Sequence, residues 1–112
     1  MFTPTRQALA RVGAAIRTRL ESSGDDVRLE GIYAFGSRVR GDHGGESDLD
    51  LLVVVGERTP EVERAVIDSC VEEELHSGIP LDPVIRDSAT FALERRYHSP
   101  FYENVSREGI PV

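Results

Sequence analysis

Five consecutive aliphatic residues, Leu51-Leu52-Val53-Val54-Val55, follow directly on two acids spaced two apart, Asp48 and Asp50. The run shows no apolar/polar alternation, so a strand built from it buries both faces and must lie between two layers of covering structure. Helices have to supply that cover. After Pro4, Leu9, Val12, Ile16 and Leu20 recur at three- and four-residue spacing, the stripe of an amphipathic helix that Ser22-Ser23-Gly24-Asp25-Asp26 closes. Ile32-Tyr33-Ala34-Phe35 reads as a strand broken at Gly36-Ser37, and residues 38–46 read as a turn or short helix with a loop. Thr59-Pro60 opens a second helix, in which Val62, Val66, Cys70 and Leu75 are expected on one face, closed by Gly78. Leu81 to Ile85 is a short strand whose Pro83 argues for a sheet edge or an interruption. Ser88 is the expected cap of a helix to about Tyr97, and Ser99-Pro100 starts another that stops at Gly109. The order α-β-(turn)-β-α-β-α-α defines an α/β (α+β) chain. The expected architecture is one domain over 1–112, a small mixed sheet of about three strands packed with helices.

The charge narrows the function. A net charge of −7 gives a field that repels nucleic acid and anionic membranes, so no direct nucleic-acid partner is expected. All thirteen basic residues are arginine, which excludes Schiff-base lysine chemistry and a P-loop lysine. The single cysteine, Cys70, excludes an internal disulfide and a cysteine-built zinc cage. No apolar run approaches the ~20 residues of a membrane span. The opening Met1-Phe2-Thr3-Pro4 lacks a signal-peptide layout, so a cytoplasmic location is expected.

Asp48 and Asp50 resist an ordinary structural explanation. Residues two apart on a strand share a face, with Cα atoms roughly 6.5–7 Å apart. Two carboxylates facing one way beside an apolar core repel each other, and a hard cation such as Mg²⁺ relieves the repulsion. Gly36-Ser37 ends one strand and Asp48 heads the next. If the strands are neighbours, the turn and the acids occupy one end of the sheet. Glycine lets a phosphate approach the backbone, Ser37 offers a hydroxyl and an amide, and Arg38 and Arg40 bring positive charge to the same connection.

Gly36-Ser37 followed after ten residues by Asp48-Leu49-Asp50 resembles the signature of the DNA polymerase beta nucleotidyltransferase superfamily. The fuller stretches Phe35–Gly41 and Ser47–Val53 resemble the minimal nucleotidyltransferases, small single-domain proteins, and Phe101-Tyr102-Glu103-Asn104-Val105 is similar to their C-terminal segment. The resemblance implies a third carboxylate on a later strand. Asp82 matches that position, with Asp87 as its rival and Pro83 as a mild departure. It further implies that Asp48 and Asp50 hold Mg²⁺, that Asp82 binds a second Mg²⁺ or acts as general base, that Gly36, Ser37, Arg38 and Arg40 bind ATP, and that AMP is transferred with loss of pyrophosphate.

Minimal members are often paired with a HEPN-domain toxin. The resemblance then implies an antitoxin that places AMP on a tyrosine of that partner; separately, the exposed edges of so small a sheet are compatible with a homo- or hetero-oligomer. Two alternatives belong to other classes: a non-catalytic antitoxin that masks its partner by contact, and a transferase acting on a small molecule. His43, His76 and His98 lack zinc-ligand spacing and are expected at the surface, whereas Cys70 is expected inside.

Overall fold

The computed structural model describes residues 3–23, 27–40 and 48–112, without the side chains of Ser37 and Arg40. Nine elements follow in order: α1 (Thr3–Ser22), β1 (Leu29–Phe35), α2 (Ser37–Arg40), β2 (Leu49–Val55), α3 (Pro60–Ser77), β3 (Leu81–Asp87), α4 (Ser88–Arg96), α5 (Pro100–Glu108) and β4 (Ile110–Pro111). They form one mixed four-stranded sheet of order β3-β2-β1-β4. β1 pairs antiparallel with β2 and with β4, whereas β2 and β3 run parallel, joined by the crossover helix α3.

The apolar run dictates the layering. Leu51, Val53 and Val55 point to one face, where they meet Leu9, Val12, Ile16 and Leu20 of α1 and Val62, Val66 and Cys70 of α3. Leu52 and Val54 point to the other, where Val105 of α5, with Phe35, Val84, Phe91 and Phe101, covers them. All five residues of the run are buried. Pro83 sits on the edge strand, as its missing donor requires.

Helices α1 and α3 are joined by ion pairs as well as by aliphatic packing. Arg11 donates to the buried Glu73 through Nε and Nη2, each 2.9 Å from a carboxylate oxygen. Arg19 spans Ser69 Oγ at 2.8 Å and Glu72 at 2.5 Å. The buried face of α3 therefore continues from Val62, Val66 and Cys70 to Glu73, and the expected Leu75 is 82% exposed. Leu75 lies five residues beyond Cys70, which turns it well off the core face, whereas Glu73 lies three beyond and is neutralised by Arg11.

Two further expectations are corrected. The sheet has a fourth strand, because Ile110 and Pro111 pair with Ala34 and Tyr33, and the Val112 amide donates to the Ile32 carbonyl at 2.9 Å. A two-residue strand containing a proline has no periodicity of its own, and only tertiary pairing makes it one. The cap of α4 is Asp87, whose Oδ1 accepts from the Thr90 amide at 2.7 Å, and Ser88 is the first helical residue. Thr59 caps α3 as expected, accepting from the Val62 amide at 3.2 Å, and Gly78 closes it in the left-handed region.

Cys70 is 3% exposed, and its thiol is pushed up to about 12, first by burial and then by the carboxylates of Asp82 and Glu74. The folded value exceeds the unfolded one of about 9.0, so stability is intact below that pH and falls as pH rises from there towards 12. Native protein at pH 8 is expected to alkylate at Cys70 at least about 10²-fold more slowly than urea-unfolded protein, as read by timed mass spectrometry. Among the described residues, no helix is long and apolar enough to cross a membrane.

Candidate nucleotide site

The sheet brings the expected residues to one end. Leu49 is fully buried in the core between α1 and α3, so Asp48 and Asp50 on either side of it stand on the opposite face. The ladder is continuous there: the Leu49 amide donates to the Pro80 carbonyl at 2.8 Å. Asp48 is exposed one residue ahead of β2, and Asp50 is half-buried as the second residue of the strand. Across the parallel ladder Asp50 stands directly beside Asp82, with strands about 4.8 Å apart. Asp82 is exposed and shares this face with Val84, while Ile85 turns into the core.

Asp87, the rival for the third position, pairs in register with Val55 at the other end of β3. Five residues of strand put it about 16 Å from Asp82. The Thr90 amide and hydroxyl hold its carboxyl below the usual range, as suits a helix cap. The geometry therefore gathers Asp82, and not Asp87, with Asp48 and Asp50.

On the other flank β1 delivers the turn. Phe35 is the register partner of Asp50, and Gly36 follows with φ of 95°. That φ lies in the left-handed region, which glycine enters without strain. Space supplies a second constraint: a Cβ at Gly36 would collide with Oδ2 of Asp50. At Gly36 the turn backbone therefore lies so close to the central carboxylate that no side chain fits between them. Beyond it α2 packs against β1 and β2, anchored by Val39 in the core. Arg38 is 7% exposed, a buried cation at this end of the sheet rather than a solvated loop residue. Ser37 and Arg40 occupy the first and last positions of α2, their side chains lying outside the described residues, as does His43. His76 and His98 are exposed.

The donor set is oxygen-only and anionic, the chemistry that suits Mg²⁺ and excludes a soft-metal site. Among the described residues, no group of three or more carboxylate, histidine or cysteine side chains stands close enough together to hold a metal ion as the side chains lie. The acids form an open row instead, two of them exposed, as is usual for a cation that keeps waters and shares its coordination with a phosphate.

The second layer of this face was not anticipated from local sequence. The ring of Phe35 meets that of Phe101 edge-on, with centroids 5.6 Å apart and planes at 87°. Arg86 of β3 lies over the Phe101 ring at 4.8 Å and donates through Nε to Glu94 Oε1 at 2.6 Å. Glu94 Oε2 in turn accepts from Ser99 Oγ at 3.2 Å, and that hydroxyl oxygen caps α5 by accepting from the Tyr102 amide at 3.0 Å.

Comparison with known proteins bears on the family and the fold. Residues 15–107 match the family described as Nucleotidyltransferase domain. A protein of Methanocaldococcus jannaschii named "Putative protein adenylyltransferase" is 33% identical over 82 residues, covering 73% of this chain and 76% of that protein. A solved structure of a "putative minimal nucleotidyltransferase" superposes with a TM-score of 0.58 at 28% identity, covering 96% of this chain and 94% of the other. A chain of a toxin–antitoxin crystal structure with AMP-PNP shares the fold, with a TM-score of 0.51 at 22% identity over 88% of this chain and 69% of that one. With the family match running over residues 15–107 and a relative 33% identical over most of both chains, the chain belongs to the nucleotidyltransferase domain family.

Proposed function

We propose that this protein transfers AMP from Mg²⁺-bound ATP to a hydroxyl of a partner protein, a tyrosine of a HEPN-domain toxin, and so acts as its antitoxin. The observation that carries the reading is the contact between Gly36 and Asp50: the turn backbone meets the central carboxylate where a Cβ would collide, and Asp82 stands beside it across the ladder. That arrangement supports a phosphate chain lying against the turn with its cations on the acids. The likeness to the protein named as an adenylyltransferase supports AMP as the transferred group.

In this reading Asp48, Asp50 and Asp82 hold Mg²⁺, which when bound supplies positive charge for the transferring phosphoryl group and the leaving pyrophosphate. Gly36 admits the phosphates to the turn, and the Ser37 amide and hydroxyl donate to their oxygens. Arg38 and Arg40 offset the remaining negative charge. Asp82, where it does not ligate a second Mg²⁺, would accept the proton of the attacking tyrosine hydroxyl. The new bond joins the tyrosine oxygen to the α-phosphorus, and the bond from that phosphorus to the oxygen bridging to the β-phosphate breaks. The protein contributes alignment and charge in place of a covalent nucleophile.

Incubating the protein with a HEPN-domain partner, ATP and Mg²⁺ tests the proposal by intact-mass spectrometry. The expected result is a partner heavier by one or more AMP groups on tyrosine, dependent on Mg²⁺. An unmodified partner that is nevertheless neutralised would favour antitoxin action by contact alone.

A further inference from the structure

The structure assigns Phe101 and Arg86 a role as positioning residues: together with Glu94 they clamp Phe35 and thereby set the Gly36-Ser37 turn against Asp50. The inference deepens the nucleotide-site reading above and rests on it. Its basis is the place of Phe35, which joins three features in one residue. Its backbone is in register with Asp50, its ring packs edge-on against Phe101, and its successor is the left-handed Gly36. A turn that must stay close to a carboxylate needs its preceding residue fixed, because a change of one backbone dihedral at Phe35 swings Gly36 as a lever.

The clamp is built from three elements that are remote in sequence. Arg86 comes from β3, Glu94 from α4 and Phe101 from α5. The Arg86 and Glu94 side chains are 28% and 17% exposed, so their 2.6 Å pair is shielded compared with an open surface bridge. The guanidinium at 4.8 Å presses on the ring from the side of β3, the strand that also carries Asp82. A relay thus runs from Glu94 of α4 through Arg86 of β3 to Phe101 of α5, and the Phe101 ring is what meets Phe35, the residue that precedes the turn. An edge-to-face pair with a cation over one ring has a defined geometry, which aliphatic packing at the same place would not impose.

The same cluster holds a control. Phe91 and Tyr102 also pair edge-on, with centroids 5.5 Å apart, and Phe91 packs in the same small core. That pair stacks with each other and not with Phe35, so it stabilises the α4–α5 face without reaching the turn by a ring contact. A purely structural role for Phe101 predicts that the two positions behave alike.

The experiment measures Mg²⁺-dependent ATP dissociation constants and thermal midpoints for wild type, Phe101→Leu, Phe91→Leu, Arg86→Met and Arg86→Lys. Phe101→Leu is expected to raise the dissociation constant about fivefold to tenfold, while Phe91→Leu changes it less than about twofold at a similar loss of midpoint. Arg86→Met is expected to weaken binding and Arg86→Lys to recover most of it, because lysine keeps a cation over the ring. Equal effects of Phe101→Leu and Phe91→Leu, with wild type binding normally, would overturn the positioning role alone. Absence of binding by wild type would overturn the nucleotide site itself and the positioning role with it. If Arg86→Met does not fold, the paired phenylalanine variants decide the matter.

Discussion

Replacing Asp48 and Asp50 with asparagine is expected to remove nucleotidyl transfer, by roughly 10²- to 10³-fold or more, while the protein stays folded. Asparagine keeps the shape of each side chain and removes the charge that a hard cation needs. Asp48 is exposed and Asp50 half-buried at a sheet end, so the substitutions leave the apolar core intact and the double variant is expected to remain folded. Asp82→Asn should also lose activity. Asp87→Asn should not, because Asp87 caps α4 at the far end of β3, and asparagine caps nearly as well as aspartate. The measurement is the rate of AMP incorporation into the partner, with circular dichroism to verify folding. Wild-type rates in the Asp48→Asn/Asp50→Asn protein would show that these carboxylates do not carry the reaction.

Gly36→Ala is the second large effect. The substitution faces two separate obstacles: a φ of 95°, and a Cβ aimed at Oδ2 of Asp50. The backbone obstacle costs on the order of 1–3 kcal/mol of stability. The contact obstacle is relieved only if the turn or the Asp50 carboxylate moves, and either shift disturbs the nucleotide site. ATP binding with Mg²⁺ is therefore expected to weaken by at least about tenfold. Gly78→Ala separates the two obstacles. Gly78 has φ of 75° at the end of α3, but a Cβ there meets nothing within 4 Å. It should lose stability on a similar scale and bind nucleotide normally. If Gly36→Ala and Gly78→Ala bind ATP equally well, the close approach of the turn to Asp50 has no role in holding the nucleotide.

How far the sequence reveals this site depends on the range over which each feature is encoded. The central strand and the helix stripes are local patterns, and the burial of Leu51 to Val55 on both faces follows from their lack of alternation. The placement of Asp48 and Asp50 on one face is equally local, since it needs only the two-residue period of a strand. Asp82 is different. Its position beside Asp50 depends on a parallel register set by the whole α3 crossover, so the motif resemblance pointed to it where periodicity could not. The same register sets Asp87, the rival under that resemblance, at the other end of β3 opposite Val55.

The misreadings share one cause, the weight of tertiary context. Leu75 looks like a core residue by hydropathy, yet the helix turns it to the surface and buries Glu73 against Arg11 instead. Ile110-Pro111 becomes a strand only because the edge of β1 is open to it. The Arg86–Phe101–Phe35 contact joins residues from β3, α5 and β1, and no spacing rule connects them. The burial of Arg38 at the sheet end is likewise a tertiary effect, since Val39 pins its short helix into the core. The expected contributions of the Ser37 and Arg40 side chains lie outside the described residues and rest on the motif.

The most direct test of the central claim is a calorimetric titration of ATP into wild type and into the Asp48→Asn/Asp50→Asn protein, each with and without Mg²⁺. The account predicts binding by wild type that requires the metal and disappears in the double variant. Binding that is equally tight in the variant, or indifferent to Mg²⁺, would contradict it and move the nucleotide away from the row of acids beside Gly36.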